Sequence, residues 1–248
     1  MIGLALLALL QGPAGHAARA VDRYPFRVGE EFHYTARLGV LSVGDASMAI
    51  PRIDTVRGTE SFVFRFTLNG RALFFTIDDT LTSWTGTADF KSRRFLQKNN
   101  EDGSLWLRDR LIFPDSGYYR TLGDSARNPT PDDPMDDAGF FYFVRTIPLE
   151  VGKTYSFPTY FMKDRNPVTI QVLKRDDCEL PDGRKLQCLV LAPIVKAKGM
   201  FSESSQARVY LTDDALRIPV EIRSRFPFGV ISLKLREIKL PSASPAAG

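Results

Sequence analysis

The chain has 248 residues, 44% of them apolar and 25% charged, which is an ordinary balance for a globular protein with a full core. The formal net charge of +4 is too small for a nucleic-acid-binding protein, because such proteins concentrate basic residues in one footprint. Composition therefore predicts a folded globular protein that does not bind nucleic acid.

Residues 1–20 have the pattern of an export signal. The apolar run from Ile2 to Leu10 is too short to span a bilayer, and it leads to Ala18-Arg19-Ala20, a small-x-small cleavage site. No basic residue precedes the run, and no cysteine lies near the cut to make a lipoprotein anchor. We predict a protein that is periplasmic or associated with the outer membrane, with no transmembrane helix in the mature chain.

Period-two alternation of apolar and polar residues recurs from end to end and predicts half-buried β-strands. Turn sequences such as Asn69-Gly70 and Pro227-Phe228-Gly229 separate these runs and favour antiparallel neighbours. In the last run the apolar residues change from odd-numbered positions, ending at Leu235, to even-numbered positions, beginning at Ile238. This change predicts a β-bulge near Arg236.

One segment interrupts the alternation. Residues 128–137 contain three prolines and four aspartates and therefore predict a loop. Asp136 or Asp137 is expected to cap a short apolar helix over 138–146, which Pro148 ends and which packs against a sheet.

The expected architecture is all-β, with a highly curved antiparallel sheet or half-open β-barrel and one short apolar helix. We predict a single domain over residues 21–240. Two strand sets, about 22–123 and 149–240, are joined by the loop and helix at 124–148, and a disordered tail covers 241–248.

The two cysteines, Cys178 and Cys188, flank the turn at Pro181-Asp182-Gly183. They could close a disulfide across that hairpin in an oxidising compartment. They could equally remain two thiols, one on each strand, because the hairpin register decides whether their Cβ atoms meet. Together with one distant histidine they do not form a zinc ligand set.

Five ordered segments resemble the domain of unknown function 3108 family of bacterial envelope proteins. They are FRVGEEFHY (26–34), VGDA (43–46), DAGFFYFVR (137–145), LEVGKTYSF (149–157) and LTDDALRIPV (211–220). The resemblance spans roughly residues 24–240. It implies an exported, largely β protein without an assigned activity, and it supplies no catalytic residues.

Few residues suggest chemistry. His33, the one histidine of the predicted mature chain, falls on the polar side of a strand and is expected to be a solvated rim residue. A hydrolase would have to use His33 or an acidic pair in a cleft. The acidic residues Asp132, Asp133, Asp136 and Asp137 could bind calcium, but helix capping and solubility explain them better. We therefore predict no enzyme activity, no catalytic residue, no metal and no cofactor.

A basic cluster in the last two predicted strands has two interpretations. If these side chains face outward, they could bind lipid phosphates. We expect instead that they form a solvated sheet face whose charge discourages pairing with another strand. The cluster consists of Arg217, Arg223, Arg225, Lys234, Arg236 and Lys239.

The phenylalanines give the most direct functional hypothesis. A curved sheet around one helix can leave an apolar cavity that suits an acyl chain, although these side chains can also simply fill the core. The residues predicted to face such a lumen are Phe62, Phe64, Phe66, Phe140, Phe141, Phe143 and Phe161. The expected function is an exported, non-enzymatic envelope protein that binds a lipid or another hydrophobic ligand. The alternative is an envelope assembly or protein-interaction module with a solid core and no ligand.

Overall fold

The computed structural model describes residues 23–72, 75–101, 103–196, 201, 206–226 and 229–241. The predicted export signal at 1–20, and all of the predicted tail except Pro241, lie outside the described residues.

Fourteen β-strands account for most of the described chain. Their bounds are β1 Glu31–Leu38, β2 Leu41–Val56, β3 Thr59–Ala72, β4 Phe75–Gly86, β5 Ser92–Glu101, β6 Ser104–Phe113, β7 Tyr118–Thr121, β8 Asn128–Pro129, β9 Thr154–Phe157, β10 Val168–Glu179, β11 Lys185–Ile194, β12 Arg208–Thr212, β13 Pro219–Phe226 and β14 Gly229–Lys239. The helix α1 (Asp137–Phe143) follows β8, and 3-10 turns cover Pro114–Ser116 and Lys163–Arg165.

The strands form one antiparallel sheet in the order β8-β7-β6-β5-β4-β3-β2-β1-β14-β13-β12-β11-β10-β9. The first and last strands are paired in the middle of the sheet, so both edge strands come from the middle of the chain. This architecture confirms the predicted all-β class, with a curved antiparallel sheet and one short helix.

The loop before α1 joins the start of β5 to the segment between β9 and β10. Met135 donates its backbone N–H to Thr159 (2.6 Å) and accepts one from Phe161 (2.9 Å), and the Thr130 hydroxyl donates to the Phe161 carbonyl (2.8 Å). On the other side Ser92 donates its N–H to Pro134 (2.7 Å). The backbone of this loop therefore has hydrogen-bond partners in both strand sets.

A bulge lies where the alternation predicted it. His33 of β1 is opposite Glu237 of β14, whereas the next residue, Tyr34, is opposite Leu235, so Arg236 is the extra residue. The bulge keeps apolar residues on the inner face on both sides of the shift, and it bends the strand pair.

Helix α1 is shorter than the predicted span of 138–146. Asp136 is its N-cap, and its carboxylate accepts a hydrogen bond from the Gly139 N–H (2.8 Å). The helix ends at Phe143, because Arg145 and Thr146 donate to carbonyls three residues earlier, at 3.1 and 2.9 Å. These bonds tighten the last turn beyond α-helical geometry.

The buried ion pair between Glu30 and Arg145 ties the end of this helix to the sheet. The guanidinium donates to both carboxylate oxygens, at 2.5 and 3.0 Å, and both side chains are almost completely buried. It also donates to the carbonyls of Pro25 and Leu216. One side chain thus joins the N-terminal segment, α1 and the turn between β12 and β13.

Cys178 of β10 and Cys188 of β11 form a disulfide, with their Cα atoms 5.8 Å apart. They are diagonal neighbours in the hairpin, because Cys178 is opposite Leu186 and Cys188 is opposite Asp176. The unpaired-thiol alternative is therefore not the arrangement in this structure.

Candidate functional site

An apolar cleft lies between helix α1 and strands β10–β13. Its walls combine one face of the helix with inward residues of the second strand set and with two residues of the connection from β11 to β12. The lining consists of Asp137, Phe140, Phe141, Val144, Tyr160, Val168, Ile170, Leu191, Pro193, Val195, Phe201, Val209, Leu211 and Pro219.

The cleft is narrow and partly open to solvent. The space between its atoms amounts to about 610 Å³, a figure that includes solvent at the open side. Water binds weakly in an apolar cleft of this kind, because a bound water molecule needs polar hydrogen-bond partners. The chemistry of the walls therefore favours an apolar occupant, and a larger one must displace side chains.

Polar groups are confined to one end of the cleft. The Tyr160 hydroxyl donates to the Asp137 carboxylate, 3.0 and 3.1 Å from its two oxygens, and Arg165 donates to the same hydroxyl at 3.3 Å. Burial raises the pKa of Asp137, while the Tyr160 hydrogen bond and the Arg165 charge oppose that shift. Burial also raises the pKa of Tyr160 far above its ordinary range, so the phenol stays protonated.

Asp136, next to this group, faces away from the cleft. Its carboxylate is fully buried and accepts hydrogen bonds from the Ser83 hydroxyl (2.6 Å) and the Gly139 N–H (2.8 Å). Burial raises the pKa of Asp136 to about 7, against the opposing effect of these hydrogen bonds. Capping, rather than ligand contact, is what this carboxylate does in the structure.

The structure brings only two of the seven predicted lumen phenylalanines to the cleft. Phe140 and Phe141 line it, both from α1. Phe141 also stacks on Phe66 (5.3 Å between centroids) and meets Phe201 edge-on (5.5 Å). Phe66 therefore supports the cleft from behind but does not line it.

Phe62 and Phe64 belong to a packed aromatic cluster on the other side of α1. Phe64 stacks on Tyr142 with centroids 4.1 Å apart, and Phe26 meets both Phe62 and Phe64 edge-on, at 5.6 and 5.7 Å. Both predicted phenylalanines are fully buried. In this structure aromatic neighbours fill the space around both rings, so Phe62 and Phe64 pack in the core and do not line the cleft described above.

Phe143 and Phe161 also lie away from the cleft. Phe143 packs edge-on against Phe157 (5.0 Å) and also contacts Phe140 (5.6 Å). Phe161 packs against Phe95 and Tyr119 (6.0 and 5.1 Å). Phe140 and Phe143 are three residues apart and their rings are in contact, but only Phe140 reaches the cleft.

His33 lies on the outer face of β1. Its Nε2 atom is 3.2 Å from Glu31 and 3.2 Å from the Lys239 amine, and about a fifth of the side chain is exposed. The polar neighbours of His33 are therefore an acid and an amine at the rim, away from the cleft.

The aspartates of the loop separate into an exposed and a buried pair. Asp132 and Asp133 are at the surface and hold Lys91 through a carbonyl (2.9 Å) and a carboxylate (3.0 Å). Asp136 and Asp137 point to different partners inside. Within the described residues, no group of three or more histidine, cysteine, aspartate or glutamate side chains is arranged to hold a metal ion.

Much of the basic cluster is already neutralised. Arg223 is bound by both oxygens of Glu221 at 2.7 Å, Arg236 pairs with Asp45 at 2.8 Å, and Lys239 is 3.7 Å from Glu31. These pairs match the solvated, charge-balanced sheet face that the sequence favoured.

Sequence reasoning missed the aliphatic half of the cleft. Val168, Ile170 and Val209 show the alternation of inward strand residues, whereas Leu191 lies in a continuously buried stretch of β11. That signal assigns a face but not what the face meets. Strand order and sheet curvature decide which of the inward residues face α1, and neither can be deduced from the alternation of apolar and polar residues.

Three comparisons with known proteins bear on the chain. The profile of the family described as "Protein of unknown function (DUF3108)" matches residues 33–236. No curated protein matches the sequence.

Among solved structures, a β-barrel-like protein of domain of unknown function DUF1849 from Brucella abortus is similar, with 12% identity and a TM-score of 0.54. The match covers 88% of this chain and all of that one, and it supports the fold alone. A candidate lipoprotein from Parabacteroides distasonis matches at 9% identity over 87% of this chain and 98% of its own, with a TM-score of 0.35.

Proposed function

The chain belongs to the DUF3108 family, and because that membership assigns no activity, we propose from the cleft itself that it is an exported envelope protein that binds the apolar chain of a lipid-like ligand. Export remains part of the proposal and rests on the apolar run and the small-x-small site in residues 1–20.

One observation supports ligand binding above the others. Twelve of the fourteen residues lining the cleft are apolar, and the two polar ones, Asp137 and Tyr160, bond to each other at one end. A largely apolar concave site with a few convergent polar groups is the usual form of a small-molecule site. An acyl chain fits such walls because it needs no hydrogen-bond partner.

The polar end favours a ligand whose head group lies near Asp137. Because its raised pKa lets Asp137 hold a proton more readily than an ordinary aspartate, this end tolerates an uncharged or hydrogen-bonding head group. Arg165 lies next to Tyr160 and supplies a nearby positive charge. The acyl tail would then follow Val168, Leu191 and Val209.

Titration of the purified protein with a fluorescent fatty acid tests the proposal. Phe140→Asp places a charge in the cleft and should weaken probe binding by at least about tenfold. Phe143→Asp is the control in the same helix, because Phe143 is a half-buried phenylalanine that contacts Phe140 but does not line the cleft. Equal binding by the wild type and both variants, or no binding by a folded wild type, would contradict the proposal.

The alternative of an assembly module has its own support. The cleft is narrow, and the aromatic cluster of Phe26, Phe62, Phe64 and Tyr142 beside α1 is tightly packed, as expected for a solid core. An assembly module predicts that the folded wild type takes up no probe, so the same titration distinguishes the two functions.

A further inference from the structure

Exposed apolar residues are concentrated at one end of the sheet. The β1–β2 turn and the start of β14 lie together because Leu38 is opposite Ile231. The β5–β6 turn lies at the same end, because the register across β2 to β6 runs through Gly44, Gly70, Ile77, Glu101 and Ser104. The apolar rim consists of Val40, Leu41, Leu105, Trp106, Leu107 and Val230. These side chains are 38–91% exposed, with Val40 the most exposed.

Such exposure needs an explanation. Single exposed apolar residues are normal, but three successive ones at a hairpin tip, with others at a second tip, are a recognised mark of an interaction surface. The two tips are separated by four strand spacings, or about 19 Å along the sheet. A bilayer contacts both at once without a shape-matched partner.

Positive charge accompanies the rim. Arg37, Arg108 and Arg225 are exposed beside the same turns, and none takes part in an ion pair with another described residue. Arg108 lies over the ring of Trp106, with its guanidinium carbon 4.9 Å from the centroid. Tryptophan and arginine together suit the boundary between lipid head groups and acyl chains, and unpaired arginines attract anionic lipid.

We propose that the apolar rim lies on the surface of an anionic phospholipid bilayer, with Trp106 and its neighbours at the head-group boundary. The cleft is bordered by Val195 and Phe201 in the β11–β12 connection, which lies at the same end of the sheet. Docking does not depend on what the cleft binds, so either proposal can fail alone.

Sedimentation with vesicles tests the docking. The wild type should bind vesicles containing phosphatidylglycerol more tightly than vesicles of phosphatidylcholine alone. Trp106 emission should shift to the blue on binding, because the other tryptophan, Trp84, is already buried. Neutralising Arg37, Arg108 and Arg225 to Gln should weaken binding to the anionic vesicles by at least about tenfold.

A matched pair of variants locates the contact. Leu41→Ser, Leu105→Ser and Leu107→Ser combined should reduce vesicle binding by at least about tenfold. The control combines Leu122→Ser, Leu173→Ser and Leu216→Ser, which remove exposed leucines away from the rim and should leave binding unchanged.

The proposal is overturned if the folded wild type stays in the supernatant with anionic vesicles, or if the two triple variants bind equally. It is also overturned if the wild type forms a concentration-dependent dimer that the rim variant abolishes and does not bind vesicles, since a second copy would then cover the rim.

Discussion

Asp136 is the residue whose burial has the clearest consequence for stability. Its folded pKa of about 7 lies above the ordinary value of 3.8, so folding stabilises the protonated form. The associated stability is fully present below about pH 4 and is lost as the pH rises through about 7. Asp137, with a pKa raised by burial, adds a contribution of the same sign.

Asp136→Asn should therefore flatten the dependence of unfolding free energy on pH between about 4 and 7. The amide resembles the protonated acid: its oxygen can still accept from Gly139 and its nitrogen can bond Ser83. Denaturant unfolding across this range measures the effect. Asp132→Asn, at an exposed position, is the control, and an unchanged slope in Asp136→Asn would contradict the assignment.

The Glu30–Arg145 pair makes a second prediction at residue scale. Glu30→Gln or Arg145→Met alone should cost about 3–5 kcal/mol, because each leaves a buried group without its charged partner. The double variant should lose less than the sum of the two. Denaturant unfolding of all four proteins gives the coupling free energy, and Glu150→Gln in the exposed Lys153 pair should change stability by less than about 0.5 kcal/mol. Additive losses would show that the pair is not coupled.

At the scale of elements, the β10–β11 hairpin is held by the disulfide. Replacing both cysteines with serine should cost about 2–3 kcal/mol, because the unfolded chain regains the freedom of a closed loop of about ten residues. The check is denaturant unfolding with and without a reductant. Reductant should destabilise the wild type and leave the Cys178→Ser/Cys188→Ser variant unchanged; equal sensitivity would contradict a bonded pair.

Individual elements were largely predictable because their signals are local. The parity shift after Leu235 was enough to predict the bulge at Arg236, and the aspartates before α1 predicted a cap. The choice between Asp136 and Asp137 was not predictable, since both are aspartates at the helix start. Only the fold shows that Asp136 turns toward Ser83 and Asp137 toward Tyr160.

At the scale of the whole molecule, contacts between residues far apart in the sequence could not be predicted. Glu30 and Arg145 are 115 residues apart, and nothing local marks them as partners. Likewise, alternation showed that Phe64 points inward, but its stacking on Tyr142 depends on where α1 crosses the sheet. The all-β class followed from the sequence, whereas the cleft required the arrangement of all the strands.

The most direct test of cleft binding is native mass spectrometry of protein purified gently from envelope fractions, followed by organic extraction. We expect the wild type to carry an additional mass, matched by an acyl-containing molecule in the extract. The additional mass should be absent from Phe140→Asp and retained by Phe143→Asp. A wild-type protein repeatedly recovered folded and without any bound molecule would contradict it.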